Sequence, residues 1–426
     1  MSASKNRLAG LSRLVRNSPW LEGMPREVGV VALIAFFVAL GFGLLAPAIP
    51  LFANTFGVSV FAAGSIVSVF ALMRLVSTPA VGSSVNRFGE RMILTSGLAF
   101  VGVSSFLAGF SQNYTQLLVL RGLGGIGSAM FSVSAFTLLL RVVRPDQRGR
   151  AANAFQGGFL VGGLAGPAVG GVILAWSVRA PFFIYGVCLM FATVVAASML
   201  NKNRIARLEA QAAKDSGTED SAKETLTWRS VARAARIRAY QSALVNNFAT
   251  GFISFGLRAS VLPLFVVVAL GASPAMVGVG FLVSSLTQVA LLLPGGRMAD
   301  NIGRKPAMLL GSGLNALGML VLLGWETTPG FFASMVLFGT GGAFLGAAPA
   351  AVVGDVIGGR KGGPVLALSQ MMMDIGTIAG PLLAGLIADK AGFPAAFGLT
   401  AVLAVIVFAF TASMKETRGL PAPKLA

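Results

Sequence analysis

Four ionisable side chains, Asp374, Arg74, Arg121 and Arg258, stand inside stretches otherwise apolar enough to cross a membrane. Even on the mildest scale a charge at the middle of a span costs on the order of 2.5 to 3.5 kcal/mol, so each needs a reason to be there. Asp374 follows Pro364 by ten positions, about 15 Å along a helix. Gln370 and Thr377 share its helical face. A carboxyl withdrawn from water at that depth can load and release a proton, so Asp374 is expected to be a proton carrier; the plainer alternative is a buried ion pair with an arginine. Arg74 is expected to snorkel to the near end of its span. Arg121 and Arg258 lie too deep for that and are the stronger candidates for a functional role.

Other chemistry is scarce. The chain has no histidine and one cysteine, Cys188, which leaves no internal disulfide, no Cys/His nucleophile pair and no zinc ligand set. Gly122, Gly124 and Gly127 satisfy G-x-G-x-x-G, but in mid-span rather than at a strand-to-helix turn, and no G-x-x-x-x-G-K-[ST] sequence is present. No cofactor, no bound metal and no enzymatic activity are expected.

The elements that must position these residues are membrane spans. Of 426 residues 55% are hydrophobic and 11% charged, and mean hydropathy is +0.80, against roughly 25% charged in soluble domains. Apolar runs of about 20 residues, long enough to cross a hydrocarbon core, recur twelve times. The expected fold is an all-α membrane protein of twelve transmembrane helices. Residues 1–27 form an amino-terminal segment, 28–200 a first six-helix half, 201–239 a linker, 240–414 a second half and 415–426 a tail.

The net charge of +18 would suit nucleic acid if it gathered on a soluble face. Instead, 28 of the 33 lysines and arginines fall in segments that alternate spans bring to one side, and only Arg179 and Lys390 fall in loops on the other. By the positive-inside rule both termini and the linker are expected in the cytoplasm, with the protein in the inner (plasma) membrane and no nucleic-acid partner. The first apolar run exceeds a signal-peptide core and is read as a retained span. Residues 1–27, with Trp20 and Leu21, are expected to rest on the membrane surface. So is the end of the linker, where Trp228, Val231 and Ala235 share a helical face, unless it is a solvated charged loop.

The chain also repeats itself. In GGLAGPAVGG, Gly166 and Pro167 recur 214 positions later as Gly380 and Pro381. At the same offset Gly57 and Gly64 recur as Gly271 and Gly278, Gly82 and Gly89 as Gly296 and Gly303, and Gln156 as Gln370. Pro50 and Phe52 recur as Pro263 and Phe265, one residue out of step. An offset sustained from the first span to the eleventh points to duplication of a six-helix unit. Because six is even, the copies share one orientation: two parallel repeats around a central cavity. Gly162, Gly166 and Gly170, four apart, let another backbone approach, while Pro167 and Pro381 let their helices bend.

Three motifs carry a resemblance. GRMADNIGRKPAM, after the eighth span, places Gly296, Asp300, Gly303, Arg304 and Lys305 at G-x-x-x-D-x-x-G-R-K. Here the chain resembles the major facilitator superfamily, whose signature occupies this loop and the matching loop after the second span. The first-half copy, GSSVNRFGERM, keeps Gly82, Arg87, Gly89 and Arg91 but has Asn86 in place of the acid. The resemblance implies that the acid pairs with basic groups at neighbouring helix ends and latches the cytoplasmic gate, a role left to Asp300. LLVLRGLGGIGSAM resembles the family's second motif and implies a part in proton transfer for Arg121. GGLAGPAVGG resembles the antiporter motif of drug:proton exporters. The resemblance covers residues 28 to 414.

It implies a secondary transporter that exports a small, lipophilic, drug-like compound in exchange for protons, by alternating access, as a monomer surrounded by membrane lipids. The spans that line the family's cavity offer phenylalanines, Phe42 and Phe252 among them, and few hydrogen-bonding groups beyond Asn246 and Asn247; Gln370 and Arg258 complete the expected wall. Three buried arginines against one aspartate leave the interior positive, so the substrate is expected to be neutral or anionic. Proton-coupled uptake of a metabolite and lipid or lysolipid flipping are the alternatives. A membrane-embedded enzyme would need a catalytic constellation that is not there.

Overall fold

The computed structural model describes residues 24–144, 147–215, 228–346, 348–358, 360 and 363–419. The segment with Trp20 and Leu21, the linker centre from Ser216, the side chain of Trp228 and residues 420–426 lie outside the described residues.

Helix is the regular structure throughout the described residues. The first half comprises α1 (Arg26–Asn54, broken beside Pro47), α2 (Val60–Phe88), α3 (Glu90–Ala108), α4 (Tyr114–Val142), α5 (Arg148–Leu174) and α6 (Ala180–Met199). The second begins with α7 (Arg238–Ala269), α8 (Pro274–Asn301), α9 (Arg304–Gly324) and α10 (Thr328–Ile357). A long helical stretch, Gly363–Ser413, completes it. It is two spans, because Gly392 at φ 83° and ψ 170° cannot continue a helix. Ser369 and Thr411, on either side of it, both bond the turn of α7 that holds Ser242, Asn246 and Asn247, so the chain doubles back. With α11 (363–391) and α12 (393–413) the described residues hold twelve spans, as the apolar runs predict.

Boundaries obey local chemistry. Asn113 and Thr327 accept backbone N–H bonds from Gln116 and Gly330 and start α4 and α10. Gly89 (φ 84°) and Gly303 (φ 150°) make equivalent turns in the two halves, in a backbone region that disfavours a side chain.

The repeated glycines are a packing surface. A Cβ on Gly158, Gly162, Gly166 or Gly170 of α5 would run into the carbonyl oxygens of Ala32, Phe36, Leu40 and Leu44 of α1, a ladder in step on both helices. Gly376 and Gly380 of α11 meet the carbonyls of Phe248 and Phe252 of α7 in the same way. Backbones this close gain dispersion and Cα–H···O contacts that a side chain would prevent.

One helix departs from this regularity. Phe252–Val261 and Phe265–Ala269 of α7 are π-helical, with wider turns than the α-helix on either side.

Most basic residues lie at the linker end of the bundle, its basic end. The halves meet toward the opposite end. There a Cβ on Gly171 of α5 would strike Gly278 of α8, and one on Gly64 of α2 would strike the carbonyl of Pro381 of α11. Asp389 of α11 accepts the backbone N–H groups of Val60 and Phe61 at 2.8 and 2.9 Å, at the first turn of α2.

The linker's short helices hold the basic end. Arg204, in Lys202–Asp215, forms an ion pair with the buried Glu27 of α1 at 2.9 Å. In Trp228–Ala234, Val231 and Ala234 do not lie on lipid: they are buried with Tyr240, Met308, Val356 and Met414. Apolar helix ends at that end of the bundle offer this face a dry partner closer than the membrane.

Candidate functional site

Arg74 does not snorkel. Its helix runs seven residues past the end of the apolar run, to Phe88, which makes Arg74 the fifteenth of 29 residues. From mid-depth its guanidinium pairs with Asp374 of α11, across the seam between the halves. The side chains are 33% and 14% exposed, so the pair is neither sealed nor fully solvated. Thr377, one turn on, donates instead to the carbonyl of Met373, and Gln370 is exposed.

A cavity of about 350 Å³ opens within the second half, walled by α7 to α12. It runs from Pro349 and Ala350, near the basic end, to Arg258 and Phe338 at its deep end. Arg258 sits on the π-helical part of α7, donates to Ser284 Oγ at 2.8 Å and lies 5.5 Å from the Phe338 ring centre. Its Nε has no partner. Asn246 and Asn247 are on the wall, their amides donating to Thr411 and Ser369. Gln288 and Asn315 face the same space from α8 and α9. Neither stood out in the sequence, since isolated amides in apolar runs have no spacing that marks them.

Three expected wall residues lie elsewhere, the exposed Gln370 among them. Phe252 is 3% exposed, its backbone carrying the close contact with α11. Phe42 packs between the rings of Phe70 and Phe255, each 5.8 Å away, where α1 meets α2 and α7.

Arg121 is enclosed in the first half and 1% exposed. Its guanidinium lies 4.5 Å from the Phe70 ring centre and reaches Ser105 Oγ at 3.4 Å, and its Nε has no partner. Phe70 is one helical turn from Arg74 on α2, so the Arg121 guanidinium packs against the helix that carries Arg74. Gly122, Gly124, Gly125 and Gly127 come directly after Arg121, and the last two bring α4 against the backbones of α2 and α3.

At the basic end Asp300, in the last turn of α8, reaches only the start of α9 in its own half. It bonds Arg304, four residues on, at 2.8 Å, and its side chain is 73% exposed. Arg304 makes the connections: its Nε approaches Asp355 of α10 at 3.4 Å, and its backbone N–H donates to Glu416, beyond α12, at 2.9 Å. Burial opposes the Glu416 charge, but backbone donors from Arg418, Arg304, Lys305 and Thr417 outweigh it and hold the carboxyl below its usual range. Gly82 and Gly296 have open space where a Cβ would be, and Arg87 lies over the neighbouring Phe88 ring. The first half lacks the acid at Asn86 but pairs Glu90 with Arg141 of α4, while Arg91 bonds the Ala197 carbonyl at 2.7 Å.

Known proteins resemble this chain in sequence and in fold. The chain is 25% identical over 402 residues to the multidrug resistance protein MdtG of Yersinia enterocolitica, covering 91% of this chain and 92% of that protein. It is 33% identical over 165 residues to multidrug resistance protein 1 of Bacillus subtilis, a match spanning 38% of this chain and 41% of that one. In fold it superposes on an inward-facing bacterial homologue of the human lysosomal transporter Spinster with a TM-score of 0.70 at 15% identity, over 93% and 97% of the two chains. The xylose transporter XylE of E. coli, in an inward-open conformation, gives 0.69 at 14% identity over 92% and 98%. Residues 31–268 and 247–424 each match the sequence pattern of the Major Facilitator Superfamily, so this chain, with its two six-helix halves, belongs to that family of multi-pass membrane transporters and is not an enzyme.

Proposed function

We propose that the protein is a proton-coupled exporter of small lipophilic, neutral or anionic compounds, working by alternating access with its basic end in the cytoplasm. The observation that carries this reading is the ion pair of Asp374 with Arg74 across the seam. The pair needs a charged carboxylate and needs α2 and α11 together. Closing the end opposite the linker seats Asp374 against Arg74 and opening it parts them, so alternating access makes and breaks this contact once per cycle, and Asp374 is read as carrying one proton inward each time. Arg121, behind Phe70, adds positive potential on the same side of α2.

The seam contacts of Gly171, Gly64 and Asp389 support an inward-open reading of this conformation, with the second-half cavity facing the cytoplasm. The glycine ladders make α1–α5 and α7–α11 rigid pairs, so the halves rock as bodies. At the basic end, Arg304 with Asp355 and Glu416, and Glu90 with Arg141, bind helix ends within their own halves and keep those bodies intact. Export of a lipophile fits the names of the multidrug relatives. The protein is read as a monomer in the inner membrane.

The test uses inside-out vesicles with an imposed pH gradient, a dye that reports it, and a panel of neutral, anionic and cationic amphiphiles. A substrate should dissipate the gradient with the parent protein and not with Asp374→Asn. Equal dissipation by the mutant would remove Asp374 from coupling. Inward accumulation of the same compounds by whole cells would overturn export.

A further inference from the structure

We infer that the cavity of the second half is an anion subsite, built to hold the acidic head of an amphipathic organic anion with Arg258 as its counter-charge. The inference rests on the export reading for the cavity's role and narrows its substrate from neutral or anionic to anionic.

Arg258 is a charge that lacks a complement. It lies at mid-depth on α7, makes one hydrogen bond, to the neutral Ser284, and leaves Nε unpartnered. Among the described residues no carboxylate lies within ion-pair distance of it, whereas Arg74 has Asp374. A guanidinium held this deep with one hydroxyl and the rings of Phe338 and Phe281 at 5.5 and 5.9 Å has weak cation–π support but no counter-charge. An anionic ligand would supply what is missing, and a planar five-donor fork suits carboxylate, sulfonate or phosphate oxygens.

The rest of the wall agrees. The side-chain amides of Gln288 and Asn315 and the hydroxyl of Ser254 line the cavity with no protein hydrogen-bond partner among the described residues. They are neutral donors, placed to take the oxygens that Arg258 leaves over. Acidic side chains are missing from the lining, so a cationic head would meet one positive charge and nothing to offset it. Apolar surface from Ile253, Ala404 and Val407 adjoins the polar end, which gives the ligand's body a dry seat. The π-helical turns matter here because they set the direction in which α7 presents Arg258.

The test measures binding to the full-length protein in phosphatidylcholine nanodiscs by calorimetry, against empty nanodiscs. The probes share one ring system: naphthalene-1-sulfonate, the neutral 1-naphthalenemethanol and the cationic 1-naphthylmethyl-trimethylammonium. The sulfonate should bind at least tenfold more tightly than the alcohol, and the cation should not bind. Arg258→Gln should abolish that tenfold preference while leaving the thermal unfolding midpoint and the affinity for the alcohol in place, and Arg258→Lys should retain part of it. Replacing a third of the lipid by phosphatidylglycerol distinguishes sources: competition that disappears in Arg258→Gln means the head belongs to a membrane lipid, and no competition means a free anion. Equal affinity for sulfonate and alcohol, or a preference that survives Arg258→Gln, would overturn the subsite. The two readings fail separately. An Arg258-dependent anion site without Asp374-dependent dissipation of the gradient would leave the subsite standing and sink proton-coupled export; Asp374-dependent transport of neutral compounds alone would do the reverse.

Discussion

Asp389→Ala should open the end of the bundle opposite the linker. Its carboxylate accepts two backbone N–H groups, from Val60 at 2.8 Å and Phe61 at 2.9 Å, at the start of a helix in the other half. Loss of a capping acceptor costs about 1 kcal/mol, and a negative charge at a helix N-terminus adds roughly 0.5 kcal/mol at an exposed site. Ser59 still caps Ala62, so α2 itself keeps its end. The expected change is thus about 1.5 kcal/mol in the equilibrium between closed and open forms, on the order of tenfold in population. Pulsed EPR reads it directly. With the single native cysteine replaced by serine, spin labels at Gln112 and Glu326, exposed positions on the two halves at that end, report the separation. Asp389→Ala should raise the long-distance population about tenfold, Asp389→Asn by less, and Lys390→Ala, next to it, not at all. An unchanged distance distribution in Asp389→Ala would refute the clasp.

Packing and charge give two further expected outcomes. Gly162→Ala should cost about 1 to 3 kcal/mol, read as a lower unfolding temperature in detergent, because its Cβ meets the α1 backbone. Gly163→Ala, with no atom within 4 Å of the new carbon, should be neutral, and equal effects at the two sites would remove the ladder as a stabilising contact. At Glu416 the folded carboxyl binds its proton less readily than the unfolded one, so its stabilisation is full above the ordinary value of 4.5 and is lost as pH falls below it. Glu416→Gln should therefore lower stability at neutral and alkaline pH, converge with the parent as pH falls, and so flatten the acid limb of the stability–pH curve, as thermal melts across pH would show.

Span number and the repeat were legible because both rest on composition and spacing, which the membrane enforces residue by residue. Depth was not. The apolar run of α2 stops near Val81, but the helix continues to Phe88, because a polar helix end can project into the headgroups while its backbone stays bonded. Hydropathy alone thus moves Arg74 toward a surface it never reaches and conceals its partner. The side-chain partners of Arg304 were beyond sequence for another reason: Asp355 and Glu416 lie 51 and 112 positions away, and only tertiary packing brings them to the loop. Conversely, an acid missing at Asn86 did not leave the first half unpaired, since Glu90 at the next helix start meets Arg141.

The wide turns of α7 give an account of the out-of-step prolines. Phe36 and Leu40, which face the α5 ladder, correspond to Phe248 and Phe252, which face the α11 ladder, 212 positions apart. By Pro50 and Pro263 the separation is 213, and by Gly57 and Gly271 it is 214. Each step falls across one π-helical segment, so each segment stores one inserted residue that the flanking helix did not unwind to absorb. Removing one residue from Phe252–Val261 would restore α-helical phase and rotate the remainder of α7 by about 100°. Arg258 would swing away from the cavity, toward the fully buried surroundings that Leu45 occupies in the other copy. Two halves that began as duplicates have thus been made unequal by length alone, and the half with the longer helix is the one whose charge faces its own cavity.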